Sequence, residues 1–124
     1  MTTWEWDELK TKGGPSARSG HRMLCHKGCL YLFGGFFDHG DALPKYFNDL
    51  WRFDLEALRW ESIGDMRGKW PQPRSAFQWV VHEGTLVLHG GYAKQVDADE
   101  RDMEHGAPLP DTWCWHIAEG KVRR

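Results

Sequence analysis

The chain repeats itself at an interval of 56 residues, and that periodicity limits its fold more tightly than its composition does. Arg18-Ser19 falls on Arg74-Ser75, Gly34-Gly35 on Gly90-Gly91, and Trp4-Glu5 on Trp60-Glu61, all at an offset of 56. Repetition at this scale describes one supersecondary unit stacked on copies of itself.

Each unit reads as four strands. Strand a is HRMLCH (His21–His26) or FQWVVH (Phe77–His82), and a glycine-containing turn, HKG or HEG, joins it to strand b. A turn of that kind between apolar runs is a hairpin signal. Strand b, CLYLF or TLVLH, ends on the double glycine, and a long polar loop leads to strand c, DLWRFDL from Asp49 or DTWCWHI from Asp111. The aromatics of strand c stand two apart (Trp51 and Phe53; Trp113 and Trp115), so each pair shares one face. A turn at Glu56–Leu58 returns the chain into strand d at Trp60. No segment shows a long helical period, and the expected class is all-β. Eight Trp and 14 Gly among 124 residues agree with short strands, tight turns and aromatic packing.

Read this way, residues 1–14 begin with a strand d (Trp4–Leu9) belonging to a preceding or exchanged unit. Residues 15–69 form a first unit and 70–124 an incomplete second. The second unit lacks a late Trp equivalent to Trp60, which puts a strand d within EGKVRR in question. A charge of −2, from 16 Lys plus Arg against 18 Asp plus Glu, argues against a nucleic-acid or anionic-membrane surface. No run of apolar residues approaches a membrane span, and the first residues carry no signal peptide. With an odd cysteine count of 3, the expectation is free thiols in a cytoplasmic protein.

Pro-x-Arg-Ser before strand a (Pro73–Ser75, and in variant form Ser16–Ser19), Gly34-Gly35, Asn48-Asp49-Leu50-Trp51-x-Phe53-Asp54-Leu55 and the late Trp60 resemble the kelch-repeat family. The likeness covers essentially the whole chain. It implies four-stranded antiparallel blades, about two of the usual six of a β-propeller, acting as a scaffold for protein–protein interaction. It also implies structural roles for Arg18, Gly34, Gly35, Asp49, Trp51, Trp60, Arg74, Gly90, Gly91 and Trp113. Asp49 or Asp54 is the expected partner of Arg18. Trp4, Trp51, Phe53, Trp60, Trp79, Trp113 and Trp115 are expected to pack blade against blade.

No catalytic residue, cofactor or metal is expected. The double glycines lack the helix, the Lys-Ser/Thr and the third glycine of a phosphate loop. Positive φ and the absence of room for a Cβ explain them better. The cluster Cys25, His26, Cys29 has no second ligand pair to close a zinc site, and Cys114 stands alone. Tyr31, Tyr46 and Tyr92 do not sit in the context of the kelch-type copper oxidases. The run Asp97–Asp102 lacks calcium-loop spacing.

In a propeller the b–c and d–a loops share one face, and that face is the expected contact surface for another protein. Its residues are Ser19, Phe36, Phe37, His39, Tyr46, Ser75, Tyr92 and Lys94. Phe37 is favoured over Phe36 because its counterpart is Ala93 rather than an aromatic. The alternative is a self-assembling unit, three two-blade chains closing a six-bladed homotrimeric ring by exchange of strand d.

Overall fold

The computed structural model describes residues 4–40, 43–64, 66–96, 104–117 and 121–123. Strands β1 (Arg22–His26), β2 (Cys29–Phe33), β5 (Leu50–Asp54) and β6 (Arg59–Ile63) form one antiparallel sheet in the order β1-β2-β5-β6. Strands β7 (Gln78–His82), β8 (Thr85–His89), β11 (Thr112–His116) and β12 (Lys121–Arg123) form a second in the order β7-β8-β11-β12. The two a-b-c-d meanders expected from the repeat are therefore present, and the described residues contain no helix.

Local chemistry accounts for the turns. Lys27-Gly28 and Glu83-Gly84 all have positive φ (48°, 77°, 47° and 74°). That is the type I′ geometry whose twist matches a two-residue hairpin. The β5–β6 turn is held by Asp54, whose carboxylate accepts from the Glu56 and Ala57 amides.

Strand alternation gives each sheet two faces. On the first sheet, Tyr31, Phe33 and Leu50 point toward the second; on the second, Leu86, Leu88, Trp113 and Trp115 point back. Phe77, fully buried, closes on Phe33 edge to face at 5.5 Å. The Trp79 indole donates to the Tyr31 carbonyl across the joint at 3.2 Å. Each large side chain buried here contributes on the order of 2 kcal/mol. Three backbone bonds align the sheets: Gly35 N–H to Arg74 O (2.8 Å), Arg74 N–H to Phe47 O (3.1 Å) and Ala76 N–H to Gly20 O (3.3 Å).

Several expectations change. Residues 4–12 pair with no sheet, and Trp4 and Trp6 are fully exposed, so Trp4 packs between no blades in this chain. EGKVRR does supply a strand d: β12 pairs with β11 over Cys114–His116. Within the chain it occupies the outer edge of the second sheet, beside β11. The long b–c loops are themselves structured, with hairpins β3 (Phe36–Phe37) to β4 (Lys45–Tyr46) and β9 (Tyr92–Val96) to β10 (Glu104–Pro108). Asp97–Asp102 lies outside the described residues. Trp70, which the repeat does not flag because its counterpart is Gly14, joins the core and donates its indole N–H to Asn48 O at 2.6 Å.

The double glycine needs both its positive φ and its missing Cβ. Gly34 has φ 69°, and an added Cβ would lie 2.7 Å from both Arg74 O and the Phe77 ring. Gly90 has a similar φ of 73°, but a Cβ there would meet only Leu109 O at 3.5 Å. Gly90→Ala should cost the strain alone, about 1–2 kcal/mol. Gly34→Ala should cost about 1–3 kcal/mol more, because it drives a methyl into the second sheet. Urea midpoints of the two variants would show that ordering; equal losses would contradict it.

Candidate functional site

Arg18 and Arg74 each precede strand a at the point where the double glycine hands the chain on to strand c. The Arg74 guanidinium, entirely buried, donates to both Asp111 oxygens at 2.8 Å, to Gly90 O at 2.8 Å and through Nε to Gln72 O at 3.0 Å. The Trp113 indole donates to the same carboxylate at 2.6 Å. In the first unit Arg18 donates to Asp49 at 2.6 and 3.0 Å and to Gly34 O at 3.1 Å, and the Trp51 indole donates to Asp49 at 2.7 Å. The expected partner of Arg18 is thus Asp49, while Asp54 serves its turn. Sequence reading took Trp51 and Trp113 only as packing. Their spacing of two from an Asp at the head of strand c was the signal for this second role.

The Asp111 carboxyl is held well below the ordinary carboxylate value, first by the Arg74 hydrogen bond, against burial, then by the Trp113 bond and the Arg74 charge. For Asp49 burial is the largest influence and pushes upward, but the hydrogen bonds from Arg18 and Trp51 with the Arg18 charge outweigh it. Both clamps pin backbone and are internally satisfied. Each guanidinium is taken up by its own carboxylate and by backbone carbonyls.

The remaining site residues gather on the hairpin β3–β4. Its register sets Phe36 opposite Tyr46 and Phe37 opposite Lys45, and a period of two sorts them into two faces. On one face Phe36 stacks on Tyr46 at 5.6 Å and lies against Gly20. On the other, exposed Phe37 meets His39 edge to face at 4.8 Å. That second face opens on a groove of about 400 Å³ lined by Ser16, Ala17, Phe37, His39, Lys45 and Phe47. The Phe47 ring has the Arg18 guanidinium 4.0 Å and the Lys45 ammonium 5.5 Å from its centroid. Phe47 belongs to the first long loop, whose residues were expected on the contact face; Ser16, Ala17 and Lys45 escaped sequence reading, because a groove between a leading segment and a hairpin is defined by pairing rather than by motif.

The other expected contacts divide. Ser19 is exposed and paired through its backbone to Phe36, as Ser75 is to Tyr92. Ser75, however, is buried under Gly20 of the first unit with its hydroxyl toward Tyr92 O, so it offers no contact surface. Tyr92 is half-buried and Lys94 exposed, both on β9 and apart from the groove. The Cys25–His26–Cys29 cluster is split by register: Cys25 pairs with Leu30 and Cys29 with His26, which places the two thiols on opposite faces.

Residues 1–121 match the profile described as the KLHDC2/KLHL20/DRC7 Kelch-repeats domain. The chain is 34% identical over 106 residues to human Kelch domain-containing protein 1, covering 82% of this chain and 26% of that protein. It is 34% identical over 92 residues to bovine Kelch domain-containing protein 3, covering 72% and 23% respectively. It is 33% identical over 84 residues to Kelch domain-containing protein 10 of Xenopus tropicalis, covering 62% and 20%. The chain therefore spans about a quarter of the length of these relatives.

Removing Arg74 leaves the Asp111 carboxylate without its counter-charge, and Arg74→Ala should destabilise the fold by about 3–5 kcal/mol. Both clamp carboxyls titrate below their unfolded value of 3.8, so the unfolded chain binds more protons in acid. Their contribution is complete above that value and is lost as pH falls below it. Denaturation midpoints should be flat near neutrality and drop below pH ~4, and Asp111→Asn should lower the neutral midpoint while flattening the acid limb. An unchanged limb would assign the acid sensitivity elsewhere.

Proposed function

The chain belongs to the kelch-repeat family, and on that premise we propose that it is a non-catalytic protein-interaction segment that engages another protein at the groove beside Phe37. Kelch repeats form β-propeller blades and generally mediate protein interaction, and the two sheets described above are blades of that kind. The observation that carries the finer reading is the groove itself. It combines an exposed phenylalanine, a second aromatic beneath two cationic groups, and a histidine at the rim. Aromatic anchors within a polar surround are the composition of interaction hot spots. Ser19 lies beside this hairpin and extends the same surface. A cytoplasmic setting belongs to the same proposal and is supported by three cysteines carried as free thiols.

The reading separates two aromatics with different duties. Trp60 packs on Phe53 at 4.8 Å and on Trp51, while among the described residues the one ring that Phe37 meets is His39. Trp60→Ala should cost about 3–5 kcal/mol and abolish cooperative unfolding. Phe37→Ala should leave the melting temperature within a degree or two while lowering partner capture at least tenfold. The check is side-by-side affinity capture with wild type and Phe37→Ala, bound proteins being quantified. An identical set at equal yield would reject the groove as the contact site.

A further inference from the structure

The groove beside Phe37 holds one hydroxyl that neither the clamp nor the proposed contact uses. Ser16 is exposed, lies outside any strand in the segment leading to β1, and lines the groove with Lys45. Beyond its bonds to Asp49 and Gly34 O, the Arg18 guanidinium turns on this residue. Nη2 donates to Ser16 Oγ at 3.4 Å and Nε to Ser16 O at 3.1 Å. The Oγ contact is long for a charged donor, which ordinarily spans about 2.7–2.9 Å to an ionised acceptor. Lys45 is exposed with its ammonium 5.5 Å from the Phe47 centroid, and no described carboxylate lies within ion-pair reach of it. Asp38, on the same hairpin, turns its carboxylate to the Gly40 amide at 2.8 Å.

The hydroxyls on the sheets and their bridges are placed differently. Ser19 exchanges both backbone groups with Phe36 at 2.8 Å, and Ser62 lies within β6. Ser75 is buried, and the Thr85 and Thr112 hydroxyls are held by His116 and His89. The exposure of Ser16 does not depend on what lies before this segment, as the second unit demonstrates. Gln72 holds the same repeat position, and its carbonyl accepts from Arg74 Nε as that of Ser16 does from Arg18 Nε. Gln72 is exposed even though its segment lies against the first sheet, through Arg74 N–H to Phe47 O.

We propose that Ser16 is a phosphorylation site and that phosphate on it closes the groove. The closing rests on the reading of the groove as a contact surface; the modification does not. A protein kinase with ATP supplies the phosphoryl group. Ser16 Oγ bonds to the γ-phosphorus, the bond from that phosphorus to the bridging oxygen breaks, and ADP leaves with the electron pair. The hydroxyl proton passes to a base of the kinase. The product carries about −1.5 to −2 charges near neutrality and three acceptor oxygens. It meets the Arg18 Nη2 group already aimed at Oγ and the Lys45 ammonium in the same groove. A hydrated anion then stands beside Phe37 and reverses the local charge, so a partner loses both its apolar anchor and its cations.

The test uses the 124-residue chain recovered from eukaryotic cells under phosphatase inhibition, and the same chain with phosphoserine installed in place of Ser16. Fragment mass mapping should find phosphate on Ser16; none there overturns the proposal. The installed phosphate should raise the urea midpoint by about 0.5 M. Lys45→Met keeps an apolar stem over Phe47 and should remove at least half of that rise. A midpoint that phosphate leaves unmoved, or an equal rise in Lys45→Met, overturns the placing of the phosphate in the groove. Capture of the proteins lost by Phe37→Ala should fall at least about fivefold when phosphate is present. If Phe37→Ala loses capture and phosphate does not, the closing fails while the groove keeps its role. If Phe37→Ala loses none, the groove reading fails and takes the closing with it, and the mapping and midpoints alone decide the modification.

Discussion

A guanidinium held by a carboxylate at the crossing of three chain segments is the interaction on which each blade depends. Arg74 ties the segment leading into strand a to the glycine carbonyl that ends strand b and to the aspartate that begins strand c. These are the points where the chain leaves regular pairing, and where backbone polar groups would otherwise be buried without partners. A bidentate guanidinium satisfies a carboxylate and a carbonyl together, which a lysine cannot do in the same geometry. The indole of Trp113 supplies another donor to the same carboxylate and anchors the inner face of strand c as well. The clamp thus couples polar satisfaction at the blade's end to apolar packing along its length.

From the clamp follow the glycines and the joint. The carbonyl that Arg18 holds belongs to Gly34, and the next amide, of Gly35, bonds to Arg74 O of the following unit. Two consecutive positive φ values turn the chain so that one peptide serves its own blade and the next serves its neighbour. A side chain at Gly34 would occupy the place of Phe77. The same turn aims the hairpin β3–β4 outward. Conformational permissiveness at the glycines is therefore what sets the exposed Phe37 and the groove beside it, although no glycine lines that groove.

The legible parts of this molecule were those governed by local rules. Hairpin turns with glycine, alternation of two along strands and an Arg–Asp pair repeated at fixed spacing all act over a few residues or recur in both units. The parts that escaped depend on which distant segments meet. Trp70 carries no repeat signature, yet it fills the joint because its indole reaches Asn48 O. Ser19 and Ser75 hold the same motif position, and only the second is covered, because Gly20 of the preceding unit lies over it. Phe36 and Phe37 are adjacent in sequence, and the register of a two-residue hairpin separates them into a stacked ring and an exposed one.

By itself the sequence determined an all-β chain of four-stranded units and the positions of its arginine, glycine and aspartate landmarks. Propensity, φ preference and period-two alternation are properties of a few neighbouring residues. Only the tertiary structure decided which equivalent residues are buried and where a groove opens. Trp4 and Trp60 show the reason. They begin the same dipeptide 56 residues apart, yet one ring stands fully in solvent while the other packs on Phe53. Burial belongs to the sheet that comes to lie alongside a residue.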